Sequence, residues 1–227
     1  MISHLVHVLR RVCNRARNWL QRCIQSHSRC VHERKSTYLP RRLIAVRSEN
    51  SRILARLCNN NEVPVGTMYL TFSHCWGNIS FLTLTRENLH QFRKSISVDK
   101  LSQSFQDALY VTSQLGFQYI WIDSLCTVRN DLDQEDWKHE VPHMGEIYKN
   151  AACNLAATAF ENGRLGLFSE RHSAHILPAQ VTCKWDWPFT KKFYVQCAFL
   201  WEYITESPLY TRGWVIQEHI LVCILRK

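Results

Sequence analysis

The stretch that decides the fold is Phe117-Gln118-Tyr119-Ile120-Trp121-Ile122-Asp123-Ser124-Leu125-Cys126. Its large apolar and aromatic side chains form an almost continuous run, which is typical of a central strand covered on both faces. Upstream, residues 104–115 carry apolar side chains at helical spacing and end at Gly116, a residue suited to stop a helix. The sequence therefore predicts a helix that leads into a buried strand, and the strand ends on the carboxylate of Asp123.

Asp123 is the first residue with a positional argument for function. In open α/β sheets, ligands bind beyond the carboxyl ends of the parallel strands. The alternative is that Asp123 only caps the helix that follows it. Position alone leaves both interpretations open.

Further strands and a helix complete a predicted α/β core. Residues 69–73 and 153–158 read as buried strands, and residues 135–149 between them read as a helix with an acidic start. Pro142 falls inside that helix and should kink or restart it. The predicted fold is a parallel sheet flanked by helices, with short antiparallel additions.

The antiparallel additions are predicted on both sides of this core. Residues 38–46 and 51–57 form a hairpin, and Pro40 places the first of its strands at a sheet edge. Residues 176–201 alternate short apolar stretches with turns, which indicates a small antiparallel appendage.

Charge is concentrated in the N-terminal quarter of the chain. Residues 1–60 hold 13 Lys and Arg against two Asp and Glu, whereas residues 61–227 hold 15 against 17. Residues 1–37 are therefore assigned to a basic amphipathic segment. Three interpretations stay open for it: a helix whose apolar face docks on the body, a helix lying on an anionic membrane, and a mitochondrial transit peptide. Nucleic-acid binding is not expected, because the rest of the chain adds no basic surface.

The chain contains 10 Cys without a paired CxxC pattern and without a secretory signal before them. They read as reduced, buried thiols of a cytoplasmic protein. The run Cys23-x3-His27-x2-Cys30-x-His32 fits no standard zinc-finger spacing, so no metal site is expected. No apolar run approaches the roughly 20 residues that a membrane span needs.

Several motifs, taken in order, resemble the fungal heterokaryon-incompatibility (HET) domain. The chain carries them from about residue 39 to 218. They are Tyr-Leu-Thr-Phe-Ser-His-Cys-Trp-Gly at 69–77, Phe-Gln-Asp-Ala at 105–108, Tyr-Ile-Trp-Ile-Asp-Ser-Leu-Cys at 119–126, Asp-Trp-x-x-Glu at 136–140, Met-Gly-Glu-Ile-Tyr-x-Asn-Ala at 144–151, Ala-Ala-Thr-Ala at 156–159, Gly-Leu-Phe-x-x-Arg at 166–171 and Arg-Gly-Trp-x-x-Gln-Glu at 212–218.

The resemblance implies a function and a fold. Proteins of this family act in fungal self/non-self recognition and trigger growth arrest and programmed cell death. Their domain is similar to the flavodoxin-like TIR fold, whose members self-associate and in some cases cleave NAD. The expected partners are therefore a second copy of the chain or other incompatibility proteins, and NAD is a candidate substrate. The alternatives are a non-enzymatic oligomerising module and an inactive truncated copy.

The expected domain limits are residues 38–218 for the HET domain and 219–227 for a shortened tail. Thr127-Val128-Arg129 also stands where the family usually has Ile-x-Gln. On this resemblance, Asp123 and Glu140 are the candidate catalytic carboxylates, because glycosidic cleavage needs a carboxylate at the developing cationic centre. The candidate substrate-binding residues are Ser73, Trp76, Gly77 and Cys126.

Overall fold

A computed structural model describes residues 2–27, 38–130, 135–158, 160–168, 179–186, 189–195 and 207–211. The predicted tail at 219–227 and the motif at 212–218 lie outside these residues. So do Cys30 and His32 of the Cys/His run.

The chain folds into a five-stranded mixed sheet with helices, followed by a separate hairpin. The helices are α1 (Ile2–Ser26), α2 (Arg86–Lys94), α3 (Gln103–Gln114), α4 (Asp123–Cys126), α5 (Glu135–Glu140) and α6 (Met144–Asn150). The strands are β1 (Arg42–Glu49), β2 (Arg52–Asn59), β3 (Leu70–Ser73), β4 (Tyr119–Trp121), β5 (Cys153–Ala156), β6 (Ala179–Asp186) and β7 (Phe189–Val195). Short 3-10 turns lie at Asn60–Glu62, Val98–Lys100, Val141–His143 and Pro208–Thr211.

The strand order of the main sheet is β2-β1-β4-β3-β5. Strand β3 pairs in parallel with both β4 and β5, whereas β1 pairs antiparallel with both β2 and β4. The predicted parallel sheet is therefore confirmed only for three strands, and the N-terminal hairpin extends the same sheet. The edge position predicted for the first hairpin strand is wrong, because Ile44 pairs with Ile120 of β4 and β2 forms the edge instead.

The core explains why the deciding stretch forms a central strand. Ile120, Trp121 and Ile122 are all buried, and Trp121 packs edge to face against Tyr148 of α6 with ring centroids 5.7 Å apart. All four residues of β3 are buried as well. Gly116 takes a φ of +85° directly after α3, which confirms its predicted role as the residue that stops the helix.

The predicted helix over residues 135–149 is split at Pro142. Helix α5 ends at Glu140, a 3-10 turn carries Pro142, and α6 begins at Met144. The restart is the predicted consequence of proline, which cannot donate the backbone hydrogen bond of a helix interior. The hairpin of β6 and β7 likewise confirms the antiparallel appendage for its described residues.

Helix α1 packs against α3 of the body. Cys13, Leu20 and Cys23 are buried, and the Arg17 guanidinium donates to the backbone carbonyl of Gln114. These contacts agree with the first of the three interpretations, a helix whose apolar side docks on the body. Among the described residues, no helix has the length and apolar content needed to cross a bilayer.

Candidate functional site

A pocket of ≈ 290 Å³ lies where β3 and β4 end. Because β3 and β4 run in parallel, the residues that follow them emerge at the same edge of the sheet. Asp123 and the 73–77 turn therefore share one cleft. The pocket is lined by Phe72, Ser73, His74, Trp76, Asp123, Arg129, Trp137, Val141, Met144 and Tyr148.

A larger cavity of ≈ 480 Å³ lies elsewhere, where β4 begins. Its lining includes Arg47, Glu49, Arg56 and the segment 116–119. It lacks the combination of a strand-end carboxylate, an imidazole and aromatic walls that the smaller pocket has. We therefore take the smaller pocket as the candidate site on its chemistry rather than on its size.

An ion pair stacked on an aromatic ring forms the polar wall of the pocket. The Arg129 guanidinium contacts the Asp123 carboxylate, and the two side chains are 21% and 26% exposed. The carbon at the centre of that guanidinium lies 4.6 Å from the centroid of the Trp76 ring. Thr127 Oγ1 lies 3.4 Å from Asp123 Oδ1 at the far side of the carboxylate. Asp123 is thus held in place but is still reached by solvent.

Aromatic side chains support this wall from behind. The His74 ring stacks on Phe72 with centroids 5.2 Å apart and meets Phe105 edge-on at 4.8 Å. Phe81 meets the Trp76 ring edge-on at 5.7 Å. His74 is almost fully buried, so its ring contributes packing as well as a wall of the pocket.

Ser73 reaches the pocket but is also engaged in a polar cluster inside the sheet. The Asn154 Nδ2 group donates to Ser73 Oγ over 2.8 Å, and Thr71 Oγ1 donates to Asn154 Oδ1 over 3.1 Å. This cluster ties β3 to β5 through side chains as well as through the backbone. It fixes the strand end from which Trp76 projects.

Gly77 and Cys126 do not line the pocket. Gly77 has a φ of +61°, and a Cβ there would lie 2.6 Å from the Cβ of Asn162, so the close approach of the 161–162 segment requires glycine. Cys126 is buried in the core, and burial raises the pKa of its thiol well above the usual range. Their predicted roles in substrate binding stay predictions.

Glu140 lies apart from Asp123, inside a buried cluster. It is 3% exposed, does not line the pocket, and has no hydrogen-bond partner on either carboxylate oxygen among the described residues. His139 Nδ1 is 3.4 Å from Glu140 Oε1 without hydrogen-bond alignment. Burial raises the pKa of Glu140; the positive charge of Arg42 opposes this rise and the negative charge of Asp136 adds to it. Its catalytic role also stays a prediction.

The neighbouring Asp136 anchors α5 to the sheet. Its carboxylate accepts from the Arg42 guanidinium, from Arg41 Nη1 at 3.0 Å and from the backbone N–H of Val128 at 2.7 Å. Arg42 also donates to the carbonyl of Cys126 over 2.8 Å. Within the Asp-Trp-x-x-Glu motif, Asp136 therefore holds α5 to the sheet and Trp137 forms a wall of the pocket.

Sequence reasoning missed part of the lining. Trp137, Val141, Met144 and Tyr148 are spaced four, three and four residues apart, which places them on one side of the α5–α6 segment. Such spacing predicts a buried face and gives no sign of a pocket wall. Arg129 carried a usable signal, because it falls at a position where the chain departs from the HET pattern.

The fold and the pocket define an α/β protein with a polar and aromatic site at the ends of its parallel strands. Comparison with protein families identifies which one. The model of the heterokaryon incompatibility protein (HET) family matches residues 69–218, and the chain belongs to that family. Membership indicates a function related to heterokaryon incompatibility. No match was found among curated proteins or among solved structures.

Proposed function

We propose that the chain is a cytoplasmic effector of heterokaryon incompatibility that triggers growth arrest and cell death by cleaving NAD. Family membership supports the first part of this proposal. The observation that carries the second part is the partly exposed Asp123 carboxylate, held at a strand end beside Arg129 and the Trp76 ring.

The order of the parallel strands supports a TIR-like assignment. In chain order β3, β4 and β5 are the first, second and third parallel strands, and they lie in the sheet as β4-β3-β5. A flavodoxin-like sheet begins with the same 2-1-3 arrangement and binds its ligand at the carboxyl ends of its strands, between the first and third. The pocket lies at the same end of the sheet, where β3 and β4 end.

The size of the pocket sets what it accommodates. Its ≈ 290 Å³ is at the lower limit of the range of about 300–1,000 Å³ that ligand pockets span. It therefore suits one nucleoside-sized half of a dinucleotide, with the other half outside. Trp76 and Trp137 offer flat apolar surfaces to a ring, and Arg129 offers a guanidinium to a phosphate.

Arg129 links binding to the chemistry. When a ligand phosphate takes the guanidinium, Asp123 loses its partner and is free to face the ribose. The bond between ribose C1′ and the nicotinamide nitrogen then breaks, and its electron pair stays on that nitrogen. Water adds to C1′ and releases a proton, while the Asp123 carboxylate stabilises the positive charge that develops on the ribose.

Nicotinamide release from NAD by the purified protein tests this proposal. We expect the parent to release nicotinamide and Asp123→Asn to lose about 100-fold or more of the rate, because the negative charge is removed without a change of shape. Glu146→Gln is the matched control, since Glu146 is exposed on α6 and does not line the pocket. The absence of release from the folded parent would exclude the enzymatic proposal.

One observation favours a second candidate, a non-enzymatic module that oligomerises or recruits other incompatibility proteins. The Asp123 charge is already paired with Arg129, which is also how a purely structural ion pair would look. Growth arrest in a fungal host separates the two functions. A module predicts that Asp123→Asn still arrests growth at matched protein levels, whereas an enzyme predicts that it does not.

A further inference from the structure

Helix α1 has an outward face that the body does not cover. Arg11, Arg15, Trp19 and Arg22 are all exposed, and their spacing of four, four and three residues places them on one side of the helix. Val12 lies seven residues before Trp19 on the same side. Trp19 is 65% exposed and Val12 is 60% exposed, although the opposite side of the helix is packed on the body.

The chemistry of this face is unusual for a solvated helix. It combines three guanidiniums with two apolar side chains, and no acidic residue occurs in the chain before Glu33. No carboxylate of α1 is therefore available to pair with these arginines. Arginines together with exposed apolar side chains are the composition of helices that lie at a membrane surface.

We propose that this outward face of α1 is a docking surface for an anionic lipid bilayer. The helix lies in the plane of the membrane, with Trp19 and Val12 entering the headgroup layer. The three arginines bind lipid phosphates and carboxylates, and the amphipathic tryptophan ring sits at the boundary between polar and apolar layers. The contact of Arg17 with Gln114 fixes the helix to α3, so the body is held against the membrane with it.

Positive charge alone would suit RNA as well as a lipid surface. The two apolar side chains favour the lipid surface. Non-specific nucleic-acid binding needs positive charge along a phosphate backbone and stacking platforms accessible to bases. Val12 offers no stacking surface, whereas both Val12 and Trp19 gain by leaving water at a lipid interface. The body adds little net charge, since residues 38–227 hold 20 basic and 18 acidic residues.

Co-sedimentation of the full chain with vesicles tests the proposal. The vesicles are phosphatidylcholine alone, or phosphatidylcholine with 30% phosphatidylserine, each at low and at high salt. We expect binding to the anionic vesicles only, weakened by high salt because surface charges are then screened. Since each basic residue near such a surface contributes about fivefold, the triple variant Arg11→Gln/Arg15→Gln/Arg22→Gln should bind on the order of 100-fold more weakly.

Two further variants make the result specific. Trp19→Ala should weaken binding to anionic vesicles by about tenfold, because it removes the largest apolar group of the face. The matched control is Arg47→Gln/Arg52→Gln/Lys94→Gln, which removes the same charge from exposed positions of the body and should bind like the parent. Far-UV circular dichroism confirms that each variant is folded.

Four outcomes would overturn the proposal. They are no binding of the parent to anionic vesicles, equal losses in the two triple variants, unchanged binding of Trp19→Ala, and displacement of the vesicles by a single-stranded RNA oligonucleotide that binds more tightly. The last outcome would assign the face to nucleic acid instead.

Discussion

Two arginine–carboxylate pairs in this chain have opposite surroundings. Arg129 and Asp123 line the pocket, with about a quarter of each side chain exposed. Arg42 and Asp136 are buried, with side chains 7% and 6% exposed. The same chemical groups therefore lie in contact with solvent in one of these two pairs and inside the protein in the other.

The difference in burial predicts different roles for the two pairs. The buried carboxylate uses its oxygens on two arginines and a backbone N–H, so opening that pair would leave charges in the core without partners. The pocket pair is reached by water, which can replace either partner at small cost. We therefore expect that a ligand can separate Asp123 from Arg129, whereas Asp136 stays paired with Arg42 as long as the protein is folded.

The largest expected effect is on the buried pair. Asp136→Asn removes the charge that compensates Arg42, and we expect a loss of about 3–5 kcal/mol in the free energy of unfolding, measured by urea denaturation. Arg41→Gln is the control, because the Arg41 side chain is 51% exposed and should contribute less than about 1 kcal/mol. A loss of similar size in both variants would show that burial does not determine how much each side chain contributes to stability.

For the pocket pair we expect a small effect on stability and a large effect on growth arrest. A double-mutant cycle of Asp123→Asn and Arg129→Gln should give a coupling free energy of about 1 kcal/mol or less. Growth arrest by the Asp123→Asn variant should nevertheless be lost, because the pair lies in the pocket and not in the core. A coupling of about 3–5 kcal/mol, the size of loss expected when a buried pair is broken, would remove the contrast on which the site assignment rests.

The apolar pattern of the sequence predicted the fold better than it predicted strand pairing. Strands β3, β4 and β5 and helices α3, α5 and α6 follow from local periodicity, whereas α2 was not predicted. The place of β1 beside β4 does not follow, because Ile44 and Ile120 pair across 76 positions of sequence. Nothing local to either strand encodes that partner.

The candidate site was likewise predicted only in part from the sequence. Asp123 was predicted from its position after a strand, and the parallel pairing of β3 with β4 brings it to the 73–77 turn. Its contact with Arg129 depends on how the chain turns after α4, which composition does not reveal. The burial of Glu140 was hidden for a similar reason, since the contact of Asp136 with Arg42, which holds α5 to the sheet, joins residues 94 positions apart.

A small effect on stability is expected at Glu140, and its pH dependence has the opposite sign to that of Asp136. Burial would raise the pKa of Asp136, but the contacts with Arg42 and Val128 outweigh it and lower the pKa below its ordinary 3.8. The stability from Asp136 is therefore present above about pH 3.8 and lost as the pH falls through its folded pKa. Burial raises the pKa of Glu140 above 4.5, so its contribution is present below pH 4.5 and lost as the pH rises.

Glu140→Gln should remove the pH dependence of stability that comes from Glu140 and leave the one that comes from Asp136. Because glutamine keeps the shape without a proton to lose, the variant should match the parent near pH 4 and be more stable by about 1 kcal/mol at neutral pH. Urea denaturation at a series of pH values measures this, with the exposed Glu146→Gln as a control that should follow the parent. Growth arrest should persist in Glu140→Gln, since Glu140 does not line the pocket. Loss of growth arrest with unchanged stability would instead place Glu140 in the chemistry of the site, and the division between a functional pair and a structural cluster would no longer hold.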